Sequence, residues 1–561
     1  MRIAFAVALA FIQISFAVKG DNVFRGARWI GKAGNVSPAF AKTFDLRKGV
    51  VSAELAVTGV GYYEARINGK KVGEKVLDPT PTDYRKRVYY SKYDVADLLD
   101  RGANEICLLL GNGLFNVQCD DAWKFAQAPW RDFPRGIAVL TVTYADKTTM
   151  RLVTDGSWRV APSPVLFNDF REGEIIRAEP MSPKSPGFAE EVPGPAGNLT
   201  EELHPAAKIT REIVARSVEP WPDGAMVYDI GCNLAGWARI RFKGLKKGEV
   251  VTIRYDERHP REGKRHIDQH VKSVASPSAC PQINPSTAGF QTDRFISAGG
   301  GDEVYEPRFT YNGFRYVIVT GASNMPERES VVGCQIRTAF PKTGSFTCSD
   351  PTFNRLVAAT ELAYEGSFAN GYPMDCPHRE KNGWTGDAAM IVEFSQYAYG
   401  STGNAAAYRS WIRTMIDQQT TNGCIPAIVP TCGWGLNEFA SSHGPAWGWA
   451  LTTIPLTVYS FRGDRDFLEE AYPGMVKYVR KLVSEFKDGL CVQGLGDWCA
   501  VKIDNPEKYW LPRVPVALSS TAFAYRTMLD LVQSATALGR ADDAREFTAM
   551  AEKVRVFFAA S

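Results

Sequence analysis

Between residues 375 and 387 the chain crowds three carboxylates, a guanidinium and an indole into thirteen positions: Asp375-Cys376-Pro377-His378-Arg379-Glu380-Lys381-Asn382-Gly383-Trp384-Thr385-Gly386-Asp387. Pro377 fixes its own φ and pushes Cys376 out of the α region, and Asn382-Gly383 is a turn signal, so the segment reads as an ordered loop. Such a loop can aim several side chains at one point. Asp375, Glu380 and Asp387 cannot all ionise cheaply in one pocket; Arg379 would hold some of them charged while a crowded Glu380 keeps its proton. That prepares a carboxylic acid to protonate a leaving group near neutral pH. The spacing supports a second reading equally: the aspartates cap helices, with Asp387 just ahead of the apolar 388–392, Arg379 forms a structural ion pair, and Trp384 is core.

The thirteen residues resemble the signature of the bacterial α-L-rhamnosidases, glycoside hydrolase family 78, in the form Asp-Cys-Pro-x-Arg-Glu-x-x-Gly-Trp-x-Gly-Asp, and every fixed position matches. The resemblance implies that Glu380 is the general acid and that Asp375, Arg379, Trp384 and Asp387 line the rhamnose pocket. Gly496-Asp497-Trp498 resembles a family loop bordering the substrate, which adds Trp498 as a substrate-binding residue. Pro445-Ala446-Trp447-Gly448 matches as well, but Trp449 stands where the family often has Asp. The resemblance further implies an inverting, exo-acting hydrolase of terminal α-L-rhamnose that uses water and no cofactor. Inversion needs a second carboxylate about 6.5–9.5 Å from the acid. No position here matches the family's base, and Glu438 and Asp497 are the loop carboxylates that could substitute.

These residues need a scaffold, and the hydrophobic pattern changes along the chain to supply one. From 22 to 205 short runs alternate with period two, as in 51–57, and a strand at 62–67 runs into the tight turn Asn68-Gly69; this predicts a β-sandwich. Ala27-Arg28-Trp29-Ile30-Gly31, 67–73 and Thr82-Asp83-Tyr84 resemble the rhamnosidase N-terminal domain. The stretch 168–174 resembles an acidic family segment that approaches the catalytic domain; as bare sequence it is a polar turn, and no catalytic role is assigned to it. A second β-sandwich, concanavalin-like by resemblance, is expected over 208–338. There Trp237 and Tyr311 read as core aromatics rather than sugar platforms. Beyond Gly344 the period becomes 3.6, with helices expected at 351–370, 385–399, 402–420, 445–461, 466–487 (broken at Pro473-Gly474), 519–538 and 541–560. Together these predict two β-sandwich domains followed by an (α/α)6 toroid at 344–561. Seven helices fall short of the toroid's twelve, so the catalytic domain is expected to be incomplete and little active alone.

Composition narrows the partners. Net charge is +3 over 561 residues with no basic run interleaved with aromatics, which argues against nucleic acid. Met1-Arg2, the apolar run 3–14 and Ser15-Phe16-Ala17 form a secretory signal over 1–17, implying a secreted or periplasmic protein with no later membrane span. The 11 cysteines show no CxxC pair and read as small buried hydrophobes. His266 and His270 lie in a polar, turn-rich segment, so no metal site is assigned. Two other classes stay open on these residues: a carbohydrate-binding protein without turnover, and another toroidal enzyme such as a lyase or phosphorylase.

Overall fold

The computed structural model describes residues 22–34, 37–119, 121–178, 187–262, 289–436, 444–496 and 514–560. The signal expected at 1–17 lies outside them.

Two sheets make the first region, antiparallel throughout except where Asn198–Glu201 runs parallel to Arg87–Asp94. In one, Val50–Val60 pairs with Arg135–Tyr144 and Arg87–Asp94; in the other, Gly102–Gly111 lies between Ala39–Leu46 and Tyr62–Ile67. Leu55, Val57 and Leu140 of the first sheet close on Phe40, Leu108 and Leu110 of the second, with Trp158 buried among them. The Asn68-Gly69 turn has positive φ at both residues (49° and 77°), the backbone a two-residue hairpin demands. Alternating burial in Val50–Val60 ends at Leu55, after which both faces are covered. The outer face of this sheet meets helices: Tyr89 Oη lies 2.7 Å from Ser410 Oγ, and Arg87 grips Asp417.

The second region is one curled, continuously hydrogen-bonded ten-stranded sheet. Its long strand, Met226–Lys243, pairs with Asn312–Thr320 over one half and with Val331–Thr338 over the other, across a register shift between Asp229 and Leu234. Trp237 and Tyr311 are buried in it, as core aromatics. The hairpin Val165–Asp169 and Gly173–Arg177 belongs to this sheet, through parallel pairing with Thr292–Ile296, and not to the sandwich that flanks it in sequence. That crossover delivers the 169–172 turn to the helical region.

Helices at Pro351–Gly366, Thr385–Tyr399, Thr402–Asp417, Pro445–Gly448, Ala450–Arg462, Arg465–Ser484, Val516–Ala537 and Ala541–Ala560 form the third region. Asp350, Ser401 and Asp464 cap three of them through side-chain oxygens. The break expected at Pro473-Gly474 does not occur. Pro473 faces solvent, where the carbonyl that lost its partner can be hydrated, and Gly474 packs against Ile416. The single helix expected at 445–461 is instead two, meeting at Trp449. No helix among the described residues is long and apolar enough to cross a membrane, and the nine described cysteines are all free.

Candidate active site

The 375–384 loop is closed on itself by backbone bonds. Asp375 N–H donates to Asn382 O at 3.0 Å, Lys381 N–H to Cys376 O at 3.2 Å and Trp384 N–H to Asn382 O at 2.9 Å. Its far end is sewn to 427–429: Thr385 N–H donates to Ala427 O, and Val429 N–H to Gly383 O, both at 2.9 Å. Two glycines allow these approaches. A Cβ on Gly383 would lie 2.0 Å from Val429 O, and one on Gly313 would meet His378 N at 2.8 Å and Pro377 Cγ at 2.9 Å. Lys381 adopts φ of 56°, a conformation costly for a side-chain-bearing residue, at the point where the loop reverses.

Within this frame Glu380 is buried with both oxygens engaged. Arg379 Nη2 donates to Oε1, and Trp384 Nε1 donates to Oε2 at 2.7 Å. The Trp384 indole is itself wedged edge-on against Trp434, with ring centroids 5.7 Å apart. Asp375 accepts from Asn382 N–H at 3.2 Å and from the Cys376 thiol at 3.2 Å. Burial, then the neighbouring Cys376 and Glu380, push its pKa well above the ordinary carboxylate value. Asp387 sits in the first turn of Thr385–Tyr399, exposed at the edge of a cleft; crowding by the surrounding protein, with a contribution from Glu380, raises it to about 6. The cleft has a volume of about 860 Å³ and is walled by Asp375 and Asp387 together with Met374, Ile391, Trp447 and Phe523. Trp447 reaches it because Gly386 has no side chain; a Cβ there would press on the indole at 3.1 Å. Asp387 is not the cap of its helix: the N-cap position is Trp384, which makes no side-chain cap bond, and the carboxylate of Asp387 accepts from its own backbone N–H.

The loop is braced from below by the 169–172 turn. Arg171, 4 % exposed, donates from Nε to Glu380 O at 3.1 Å, from Nη2 to Asn382 Oδ1 at 2.9 Å and from Nη1 to Asp121 Oδ2 at 2.9 Å. Lys381, next to the acid, points away from the cleft: its Nζ donates to Phe170 O at 2.8 Å and Tyr311 O at 2.6 Å and lies 4.5 Å over the Tyr311 ring. Full burial lowers it to about 7. Tyr372 Oη donates to Lys381 O at 2.8 Å. Sequence reasoning left Arg171 and Lys381 out. A polar turn carries no sign that it will cross between sheets, and a lysine in a polar loop ordinarily faces water.

The predicted residues thus fall into two groups. Arg379, Glu380 and Trp384 form a hydrogen-bonded trio, and Asp375 and Asp387 wall the adjoining cleft. Trp498, and with it Glu438 and Asp497, lies outside the described residues, as do His266 and His270. Trp449, at the position departing from the family pattern, donates from Nε1 to the buried Asp530 at 2.7 Å.

The structure thus places a carboxyl group gripped by an arginine and a tryptophan in a loop between helices that rests on two β regions. Family models match most of the chain between residues 48 and 561. Residues 48–211 match the alpha-L-rhamnosidase N-terminal domain, 220–337 the bacterial alpha-L-rhamnosidase concanavalin-like domain, and 341–561 the bacterial alpha-L-rhamnosidase 6 hairpin glycosidase domain. The chain belongs to the bacterial α-L-rhamnosidase family, glycoside hydrolase family 78. It is 32% identical over 554 residues to an alpha-L-rhamnosidase of Streptomyces avermitilis, covering 95% of this chain and 50% of that protein. With one from Formosa agariphila it shares 30% identity over 488 residues, covering 83% and 50%. Among solved structures it is similar to the α-L-rhamnosidase of Dictyoglumus thermophilum (TM-score 0.83, 30% identity, 95% of this chain and 59% of that one). It is also similar to the Streptomyces avermitilis enzyme complexed with L-rhamnose (TM-score 0.82, 28% identity, 94% and 48%). The chain spans about half the length of the curated relatives it matches.

Proposed function

We propose that this chain carries the proton donor and sugar pocket of a secreted, exo-acting, inverting α-L-rhamnosidase. The observation that carries the reading is the trio at Glu380: an acid held at both oxygens, beside a cleft walled by two further carboxyl groups. Glu380 delivers a proton to the glycosidic oxygen as the bond to the anomeric carbon breaks. Arg379 and Trp384 fix its direction, so little reorganisation is left for the transition state. Asp375, with its protonated form favoured by burial, and Asp387, ionised above about pH 6, offer complementary hydrogen-bonding groups to ring hydroxyls. The apolar side of the cleft, Met374, Ile391 and Trp447, suits the methyl group of a 6-deoxy sugar. Inversion requires a second carboxylate to activate water on the opposite face of the ring. The sequence candidates for that base, Glu438 and Asp497, lie outside the described residues. Export rests on the signal-like residues 1–17.

The test is hydrolysis of an aryl α-L-rhamnoside, with the matching α-D-mannoside as control and the product anomer followed by NMR. The reading expects release of rhamnose in preference to mannose, with β-L-rhamnose appearing first. A first-formed α anomer would overturn inversion. A sugar-dependent rise in melting temperature without released rhamnose would make the chain a binding protein.

A further inference from the structure

A second cavity, about 640 Å³, lies at the seam between the Tyr62–Ile67 hairpin and the curled sheet, and the catalytic loop contributes nothing to it. Tyr63, Leu77, Ile209 and Phe295 supply apolar wall. The polar wall carries more cations than acids: Arg66, Lys71, Lys75, Arg177, Arg239 and Arg308 against Glu64, Asp302, Glu303 and Glu306. The carboxylates are already committed. Glu64 accepts from Arg66 Nε at 2.7 Å and from Arg308 Nη1 at 2.8 Å. Glu306 accepts from Arg239 at 2.8 and 3.0 Å and from Trp237 Nε1 at 3.0 Å. Glu303 is committed to Ser297 and the Ala298 N–H, while Asp302 faces Arg241. Lys75 is held by Glu202.

Two donors remain. Lys71 is half-buried and, among the described residues, its side chain makes no ion pair or hydrogen bond. Arg308 is part-exposed and gives only Nη1 to Glu64, which leaves Nη2 without a hydrogen-bond partner. A cation walled in beside other cations is held at a cost that an anion entering the cavity would relieve. Burial, followed by Arg308 and Arg66, works against the charge on Lys71, and Glu64 and Glu306 offset this only in part.

We propose that this cavity is a binding site for the carboxylate of an acidic sugar, with Lys71 and Arg308 as the anion's donors. The inference goes beyond rhamnoside hydrolysis and does not rest on it. A guanidinium and an ammonium side by side suit a carboxylate. A cavity of this size with apolar walls falls within the range of small-ligand sites, roughly 300–1,000 Å³, and leaves room for a sugar ring behind the charged group.

The experiment is calorimetric titration of the full chain with D-galacturonate, with D-galactose as the same ring lacking the carboxylate and with inorganic sulfate as a bare anion. Galacturonate is expected to bind, galactose to show no binding, and sulfate to bind at least about tenfold more weakly than galacturonate. Lys71→Met should weaken galacturonate at least about tenfold, Lys71→Arg should restore most of the affinity, and Asp375→Ala, in the catalytic cleft, should leave it unchanged. Because Lys71→Met removes from a hairpin edge a charge that burial disfavours, the free variant should melt no lower than the parent, so a loss of binding cannot be misfolding. Equal binding of galactose, equal binding of sulfate, parental affinity in Lys71→Met or loss of affinity in Asp375→Ala would each overturn the proposal.

Discussion

Replacing Arg171 by methionine separates support of the catalytic loop from support of the fold. The guanidinium makes three hydrogen bonds, to Glu380 O, Asn382 Oδ1 and Asp121 Oδ2, and packs against the rings of Trp123, Phe125 and Phe170 at 5.1–5.3 Å. Methionine keeps much of the packing and loses all three bonds. It also leaves Asp121 buried without its cation; breaking one side of such a pair costs about 3–5 kcal/mol. Burial already raises the Asp121 pKa, with Arg171 acting against the shift. For the chemistry, a displacement of the acid by about 1 Å costs on the order of 10²-fold in rate. Arg171→Met should therefore lower both the melting temperature and kcat on an aryl rhamnoside, with a smaller change in KM. The double variant Arg171→Met/Asp121→Asn distinguishes the two effects. Asparagine retains the Oδ1 acceptor for the Trp123 and Phe125 N–H groups while removing the orphaned charge, so stability should largely return and kcat should stay low. Single-turnover rates with urea melts on the same samples make the measurement. If kcat in the single variant stays within about threefold of the parent, or recovers together with stability in the double variant, Arg171 does not position Glu380.

Other consequences arise from the same geometry. Asp387 is raised to about 6, so its carboxylate is lost as an acceptor below that pH; rhamnose affinity should weaken up to about tenfold per unit on the acid side, and Asp387→Asn should bind weakly with no such slope. Its effect on stability has the opposite sign: the folded state holds the proton more tightly than the unfolded chain, so this contribution grows as pH falls through about 6, and a melting temperature that moved with the affinity would contradict the assignment. Lys381, depressed to about 7, penalises the fold while it is charged, so thermal stability should rise between about pH 7 and 9, and Lys381→Met should flatten that rise while leaving two carbonyls unpaired. Gly383→Ala drives a Cβ into Val429 O and should cost about 1–3 kcal/mol along with most of the activity; an active variant with parental melting would show that the seam between 383 and 429 is dispensable.

Much of this architecture is legible in the residue types alone. The Asn68-Gly69 turn needs two positive φ angles, which its residue types announce, and the change from period two to period 3.6 after Gly344 marks where sheets give way to helices. Residues 375–387 declare themselves as an ordered loop through Pro377 and Asn382-Gly383. Long-range pairing is not legible in this way. Nothing local in 165–177 says that this hairpin leaves the sandwich that flanks it to join Thr292–Ile296, and the support from Arg171 depends on that crossover. Lys381 escapes for a related reason: its carbonyl partners come from residues 170 and 311, more than 60 positions away along the chain. Pro473 misleads in the other direction, because a proline on the solvent face of a packed helix gives up one bond to water without breaking the helix.

The central claim is that Glu380 gives up the proton, and the leaving-group dependence of Glu380→Gln tests it most directly. The amide retains the hydrogen-bonding shape toward Arg379 but has no acidic proton, and general-acid catalysis supplies about 10²–10⁴-fold. Hydrolysis of an alkyl rhamnoside, whose leaving oxygen needs protonation, should fall by that factor, while a dinitrophenyl rhamnoside, whose leaving group departs as an anion, should lose far less, with rhamnose affinity nearly unchanged. Equal losses on both substrates, or near-parental turnover of the alkyl rhamnoside, would contradict the assignment of Glu380 as the acid.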